Sequence, residues 1–183
     1  MRVIAGEAKG RRLKTPTTGT RPMTDRMRES VFSALGDLSD AVVLDLYAGS
    51  GSLGLEALSR GASKATFVES SREAILKLEQ NIEATGFDDR AEVVWADVNL
   101  VIGKHAAGRV DLIFVDPPYS TKTTMVQSDL EAIVMEGFLS DEGRVVVHRP
   151  ANESSIDALG LQPVWEREFG QSKIVVFTHD EED

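Results

Sequence analysis

From residue 41 onward the chain alternates between two textures, and that alternation limits its possible folds more than any other feature. The runs AVVLDL (41–46), KATFVE (64–69), AEVVWAD (91–97), RVDLIFVD (109–116) and GRVVVHR (143–149) are short and apolar. Two helical patterns separate the first three. SLGLEALSRG ends at Gly61, and SREAILKLEQNIEATG repeats Ala74, Leu78 and Ile82 on one face before Gly86. Strands that read as unbroken apolar runs bury both faces, so they belong to a parallel sheet with helices on either side. The tail differs. LQPVWEREFG and SKIVVFTH meet at Gly170-Gln171, which predicts a closing antiparallel hairpin.

The first 40 residues have another character. Arg2–Ala5 and Arg11–Lys14 predict a β-hairpin, residues 15–22 (TPTTGTRP) a loop, and TDRMRESVFSALGDL a helix. Thr24 can cap that helix; Met27, Val31 and Leu35 recur at i, i+4 and i+8, and Gly36 can stop it. The expected organisation is a basic β-hairpin extension over 1–22 and one α/β domain over 23–183.

Composition excludes several classes. There are no cysteines, hence no disulfides and no thiolate metal site, which fits a cytoplasmic protein. His105, His148 and His179 are too far apart for zinc spacing, so no metal is expected. MRVIAGEAKG lacks the apolar core of a signal peptide, and no run approaches a membrane span. The net charge is −10 but unevenly placed: residues 1–30 hold eight cations and three acids, a net of +5, which leaves −15 on the other 153 residues. A basic segment on an acidic body suits phosphate contact, or simply a solvated face.

In an open α/β sheet, ligands bind beyond the carboxyl ends of the strands. Four successive strands carry an acid there: Asp45, Glu69, Asp97 and Asp116. Gly49, Gly51 and Gly54 match G-x-G-x-x-G, whose glycines let backbone N–H groups approach an anion. An acid four residues before the first glycine would repel a pyrophosphate but suits a zwitterion. The amino-acid end of S-adenosylmethionine is one, with Tyr47, Ala48, Gly49, Ser50 and Gly51 around its carboxylate and Asp45 near its ammonium. Glu69, followed by Ser70, then fits the ribose hydroxyls, and Asp97 the adenine amine. Asp116-Pro117-Pro118-Tyr119 is left over: a carboxylate, carbonyls set by proline rings, and a flat aromatic face. That set suits a planar group bearing an amine. Each of these residues also has a purely structural role open to it, as a turn, a cap or a stiff loop.

DLYAGSGSLGLEAL, FVE, WAD and DPPY resemble the motifs of class I S-adenosylmethionine-dependent methyltransferases that modify exocyclic amines. With VIAGEAKGRRLKTP, TRPMTDRMRESVFSAL and EREFGQSKIVVF, the chain resembles, over nearly its whole length, the bacterial guanine-N2 methyltransferases of small-subunit ribosomal RNA, the RsmD type. The resemblance implies a Rossmann-like, mostly parallel seven-stranded sheet with an antiparallel last hairpin and an N-terminal β-hairpin. It also implies direct methyl transfer to guanine N2 in 16S rRNA within an assembling small subunit. Asp116 and the Pro117 carbonyl would hold the amine, and Tyr119 would stack on an extruded base. Thr24, Arg28 and Glu29 are implied near the cofactor, and Arg26 near the RNA; Arg11, Arg12 and Arg21 are candidates for RNA phosphate contact. VVVHRP and GQS depart from the family's pattern, so His148 inherits no role. No heptad or apolar stripe demands a dimer, and a monomer is expected. The alternatives are a DNA or other RNA amino-methyltransferase acting on adenine N6 or cytosine N4, an NAD-dependent oxidoreductase, and a non-catalytic RNA-binding scaffold.

Overall fold

The computed structural model describes residues 1–16, 22–104 and 108–180. Seven strands form one sheet: β1 (Val42–Leu46), β2 (Lys64–Glu69), β3 (Ala91–Trp95), β4 (Val110–Val115), β5 (Leu139–Pro150), β6 (Leu161–Phe169) and β7 (Ser172–His179). Their order is β3-β2-β1-β4-β5-β7-β6. The first five are parallel; β7 runs antiparallel to both β5 and β6. The chain starts at β1, works outward to β3, then returns to the other side of β1 with β4. That reversal opens a crevice between the ends of β1 and β4.

Helices α1 (Asp25–Leu35), α2 (Ser52–Ser59), α3 (Arg72–Thr85), α4 (Val98–Ile102) and α5 (Thr123–Met135) cover the sheet. One core joins α1, α2 and α3 to one face through Phe32, Leu55, Leu58, Phe67, Leu78 and Phe114. The other lies under α4 and α5 around Leu46, Ile113, Val126, Leu130 and Val147. The caps follow the residue types: Thr24 and Ser71 accept from the third amide after them, and Gly86 ends α3 at φ 74°. The helices α4 and α5 have no counterpart in the periodicity read from the sequence. The first is only 5 residues long, and the second is apolar on more than one side. Pro163, which cannot donate to a ladder, sits on the edge strand β6, where the register shifts.

The N-terminal hairpin closes at one bridge, Arg2 with Arg12, flanked by Leu13 N–H to Met1 O at 3.0 Å and Val3 N–H to Arg11 O at 2.9 Å. It is bolted to the body. Glu56, fully buried on α2, accepts from the amides of Ile4 and Ala5 at 2.7 and 3.1 Å and from Arg60 at 2.8 Å. Ser59 bonds to Ala5 O and Ala8 N–H. A Cβ on Gly6 would lie 1.6 Å from Ser59 O, so only glycine permits this approach. Val3, Ala8 and Leu13 join the α1–α3 core.

Candidate active site

Two adjoining cavities fill the crevice. One, about 260 Å3, is lined by Pro16, Pro22, Ala48, Ser50, Ser52, Pro117 and Tyr119, among others. The second, about 390 Å3, is lined by Glu69, Ser70, Ala74, Asp97, Asn99, Thr121 and Met125 with their neighbours. Pro16, Tyr47, Asp116 and Pro118 line both and so form the wall between them.

The loop after β1 builds the floor. Tyr47 takes φ 60° and Gly49 φ 56°, a left-handed path that is costly for a tyrosine. What holds Tyr47 there is its hydroxyl, which donates to Asp129 Oδ2 at 2.7 Å. Burial and the Asp129 carboxylate raise the Tyr47 phenol above its ordinary value. Burial also raises Asp129, with the Asp97 charge adding to it, against the pull of the tyrosine hydrogen bond. Gly54 is required by packing: a Cβ there would lie 2.3 Å from the Phe67 ring. Asn81 on α3 donates to Ser50 O and Lys14 O, both at 2.9 Å, and ties the loop to the N-terminal arm.

The acids behave differently from one another. Asp45 is buried and accepts from the Gly54 amide at 2.9 Å, so it latches the loop from below and lines neither cavity. Burial above all pushes its carboxyl well above the usual range, and the charges of Asp116 and Glu69 add to this against the Gly54 hydrogen bond. Expected beside an ammonium, Asp45 is placed by the structure beneath the loop, bonded to Gly54. Glu69 accepts from Gly49 N–H at 2.8 Å and Ser71 N–H at 2.7 Å, which leaves one lone pair on each oxygen toward the second cavity. Asp97 caps α4 by accepting from the amide and side chain of Asn99 through Oδ1, and among the described residues Oδ2 has no donor. Ser70 lines the second cavity, while Ser71, not Ser70, caps α3.

The loop after β4 is held by side chains from β5 and β7. His148, fully buried, brings Nδ1 to 2.8 Å from Asp116 Oδ1 and Nε2 to 3.2 Å from the Tyr119 hydroxyl. That hydroxyl lies 2.6 Å from Ser172 Oγ. One hydrogen-bond assignment satisfies the chain: Ser172 donates to Tyr119, Tyr119 to Nε2, and Nδ1–H to Asp116 Oδ1. Arg149, also buried, donates to Thr121 O at 2.5 Å and Pro118 O at 3.4 Å and is anchored by Glu153 at 2.6 Å. Among the described residues, Asp116 Oδ2 and the Pro117 carbonyl oxygen have no donor. Two acceptors are thus left side by side: Asp116 on the wall shared by the cavities, and Pro117 on the lining of the first.

Other expectations fare differently. Among the described residues lining the cavities, Thr24, Arg28 and Glu29 do not occur. Thr24 caps α1. Arg28 is fully buried beneath the N-terminal arm, donating to Arg2 O at 2.6 Å and Asp25 at 2.8 Å, with Glu56 at 3.6 Å; an arginine sunk so deep serves the fold. Glu29 lies with Arg26 in a separate concavity against β6. Arg11 and Arg12 are exposed on the hairpin, and Arg21 lies outside the described residues. His148, Arg149 and Ser172 were missed because their partners in the loop after β4 are 28 to 53 residues away in sequence. The signals were the two departures themselves, VVVHRP for His148 and Arg149 and GQS for Ser172.

Comparison with known proteins agrees with this geometry. The family model described as Conserved hypothetical protein 95 matches residues 1–178. Ribosomal RNA small subunit methyltransferase D of Escherichia coli K12 is 37% identical over 149 residues, spanning 80% of this chain and 73% of that protein. The chain belongs to this RsmD family. YlbH of Bacillus subtilis, named as a candidate rRNA methyltransferase, is 34% identical over 97% of this chain and 98% of its own length. The solved structure of yhhF from Escherichia coli, named as a candidate methyltransferase, superposes with a TM-score of 0.88 at 32% identity, covering 100% of this chain and 99% of that one. Among the described residues no helix is long and apolar enough to cross a membrane.

Proposed function

We propose that this RsmD-family chain is an S-adenosylmethionine-dependent methyltransferase that modifies the exocyclic N2 amine of a guanine in 16S ribosomal RNA, in the cytoplasm, on RNA of the assembling small subunit. The observation that carries the reading is the pair of unclaimed acceptors, Asp116 Oδ2 on the wall shared by the two cavities and Pro117 O beside it on the lining of the first, next to a second cavity lined by Glu69 and Asp97.

S-adenosylmethionine, when bound, supplies a methyl group on a sulfonium. The second cavity fits it: Glu69 offers acceptors for a diol, Asp97 for an amine, and Met125 and Ala74 provide apolar contact. Tyr47, Ala48, Ser50 and Ser52 line the adjoining cavity, and the glycines between them shape the loop, with Asp45 acting through Gly54.

An exocyclic amine conjugated with its ring is a poor nucleophile. Asp116 Oδ2 and Pro117 O can each accept one of its two N–H groups, which fixes the nitrogen and favours a pyramidal lone pair. Pro118 contributes a carbonyl held by Thr121 and Arg149, so the loop cannot swing away. Tyr119, with its hydroxyl pinned at two points, presents its ring to a base taken out of its stack. His148 is a positioning residue that keeps Asp116 aimed. Residues 1–22, with Arg11, Arg12 and Arg21, form the extension that meets RNA phosphates, and the protein acts as a monomer.

The deciding experiment is Asp116→Ala. Methyl transfer to 16S rRNA should fall by about a thousandfold, while calorimetric affinity for S-adenosylmethionine stays within about threefold. Equal loss of both would move Asp116 to the cofactor, and unchanged transfer would reject the site.

A further inference from the structure

Away from the crevice, a concavity of about 410 Å3 lies between α1 and β6, lined by Arg26, Glu29, Ser30, Trp165, Arg167 and Phe169 with two further α1 residues. Its origin is topological. Helix α1 packs over the inner strands, with Phe32 against Phe114 at 5.8 Å and Arg144 bonded to Leu35 O at 2.7 Å. Strand β6 is the sheet edge beyond β7, so its near face is only partly covered. Trp165, Arg167 and Phe169 alternate along β6 and share that face, while Glu166 and Glu168 point the other way.

The chemistry here is unlike the rest of the acidic body. Arg167 holds its guanidinium 5.5 Å from the Phe169 ring centre and donates to Ser30 at 3.1 Å. Arg26 is exposed and has no carboxylate partner among the described residues. Arg2, which pairs with Arg12 across the hairpin, bonds to Asp25 beside Arg26 at 3.1 Å, so the cations continue toward the N-terminal arm. Glu29 is the acid on the lining. One strand pairing links the concavity to the active site: Phe169 pairs with Ser172, whose Oγ lies 2.6 Å from the Tyr119 hydroxyl.

We propose that this concavity is a second RNA-binding site, which holds single-stranded nucleotides flanking the one in the crevice. Trp165 and Phe169 supply faces for stacking a base, and Arg26 and Arg167 contact phosphates. Cations beside rings are what sequence-tolerant single-strand recognition uses, and on a body carrying −15 outside residues 1–30 the cations mark where a polyanion can approach. The inference rests on the RNA methyltransferase reading and extends its substrate contact to the C-terminal hairpin.

The test uses the full chain and purified 16S rRNA, free and within small-subunit particles. Arg26→Glu with Arg167→Glu should weaken binding to the free RNA by tenfold or more and reduce the slope of log affinity against log salt by about two, one per contact. Phe169→Leu keeps an apolar side chain but removes the flat ring; it should weaken binding by about tenfold at unchanged slope. Affinity for S-adenosylmethionine should stay at the wild-type value in both, which verifies folding. If the wild-type protein binds and methylates RNA but the variants bind it equally well, the second site is rejected alone. A loss confined to particles, with free RNA bound normally, assigns the surface to a ribosomal protein and also rejects it. A wild-type protein that neither binds nor methylates the RNA in either form overturns the methyltransferase reading itself.

Discussion

The two walls of the crevice are stabilised in opposite ways. The wall after β1 is built from neighbours in sequence: glycines, a strained Tyr47, and acids that accept from backbone amides within 20 residues, as Asp45 does from Gly54 and Glu69 from Gly49. The wall after β4 is held from a distance by β5 and β7, through His148, Arg149 and Ser172. Backbone latching shapes a rigid floor for a ligand shared by many reactions. A network of side chains can be retuned one residue at a time, which suits the side that must recognise one amine.

Variants that disturb one wall should spare the other. Gly54→Val on the first wall is expected to have the largest effect of the three that follow. Its Cβ would meet the fully buried Phe67 ring at 2.3 Å. Overpacking of about 1–3 kcal/mol should lower the melting temperature by roughly 3–10 °C, and S-adenosylmethionine affinity should fall more than tenfold because the loop must move. Retained cofactor affinity in calorimetry would show that the floor does not depend on this packing.

On the second wall, His148→Ala removes the donor to Asp116 and leaves buried partners unsatisfied. We expect kcat for methyl transfer to fall about tenfold, with the S-adenosylmethionine affinity unchanged. Rescue by His148→Gln, which restores a donor, would separate positioning from bulk packing; equal loss of kcat and cofactor affinity would break the division between the walls.

The smallest effect concerns pH. Asp45 titrates above its ordinary value when folded, because burial disfavours its charge. Between the ordinary value of 3.8 and the raised one, the folded state binds the extra proton, so stability falls as pH rises through that window. Asp45→Asn keeps an acceptor for Gly54 N–H and carries no charge. Its melting temperature should therefore decline less than that of the wild type between pH 4 and 8, by a few degrees. Parallel curves would mean that Asp45 is not the group responsible.

Much of the fold was legible because local chemistry agrees with the global arrangement. AVVLDL, KATFVE and RVDLIFVD became parallel strands within a residue or two, since apolar β-branched runs have nowhere else to be buried. Helix α5 was not legible, because its apolar residues are spread around the helix, and β5 begins four residues before GRVVVHR. The site was legible in its motifs and less so in its roles. Asp45 was read as a ligand contact, and its latching of Gly54 was not foreseen, because a strand-end acid can point beneath the loop as readily as above it. Arg28 was placed by resemblance near the cofactor and is buried under the arm, since its α1 neighbours Met27, Val31 and Phe32 turn that face into the core.

By itself the sequence determined the alternating sheet, the glycine loop, the acids at four strand ends and the unusual Asp-Pro-Pro-Tyr, because each depends on spacing along one element. Only the tertiary structure decided which acids reach the crevice, that His148, Arg149 and Ser172 hold the loop after β4, and that β6 brings Arg167 and two rings together against α1. Those contacts join residues far apart in sequence, and no periodicity encodes which side chains two separate strands will bring together.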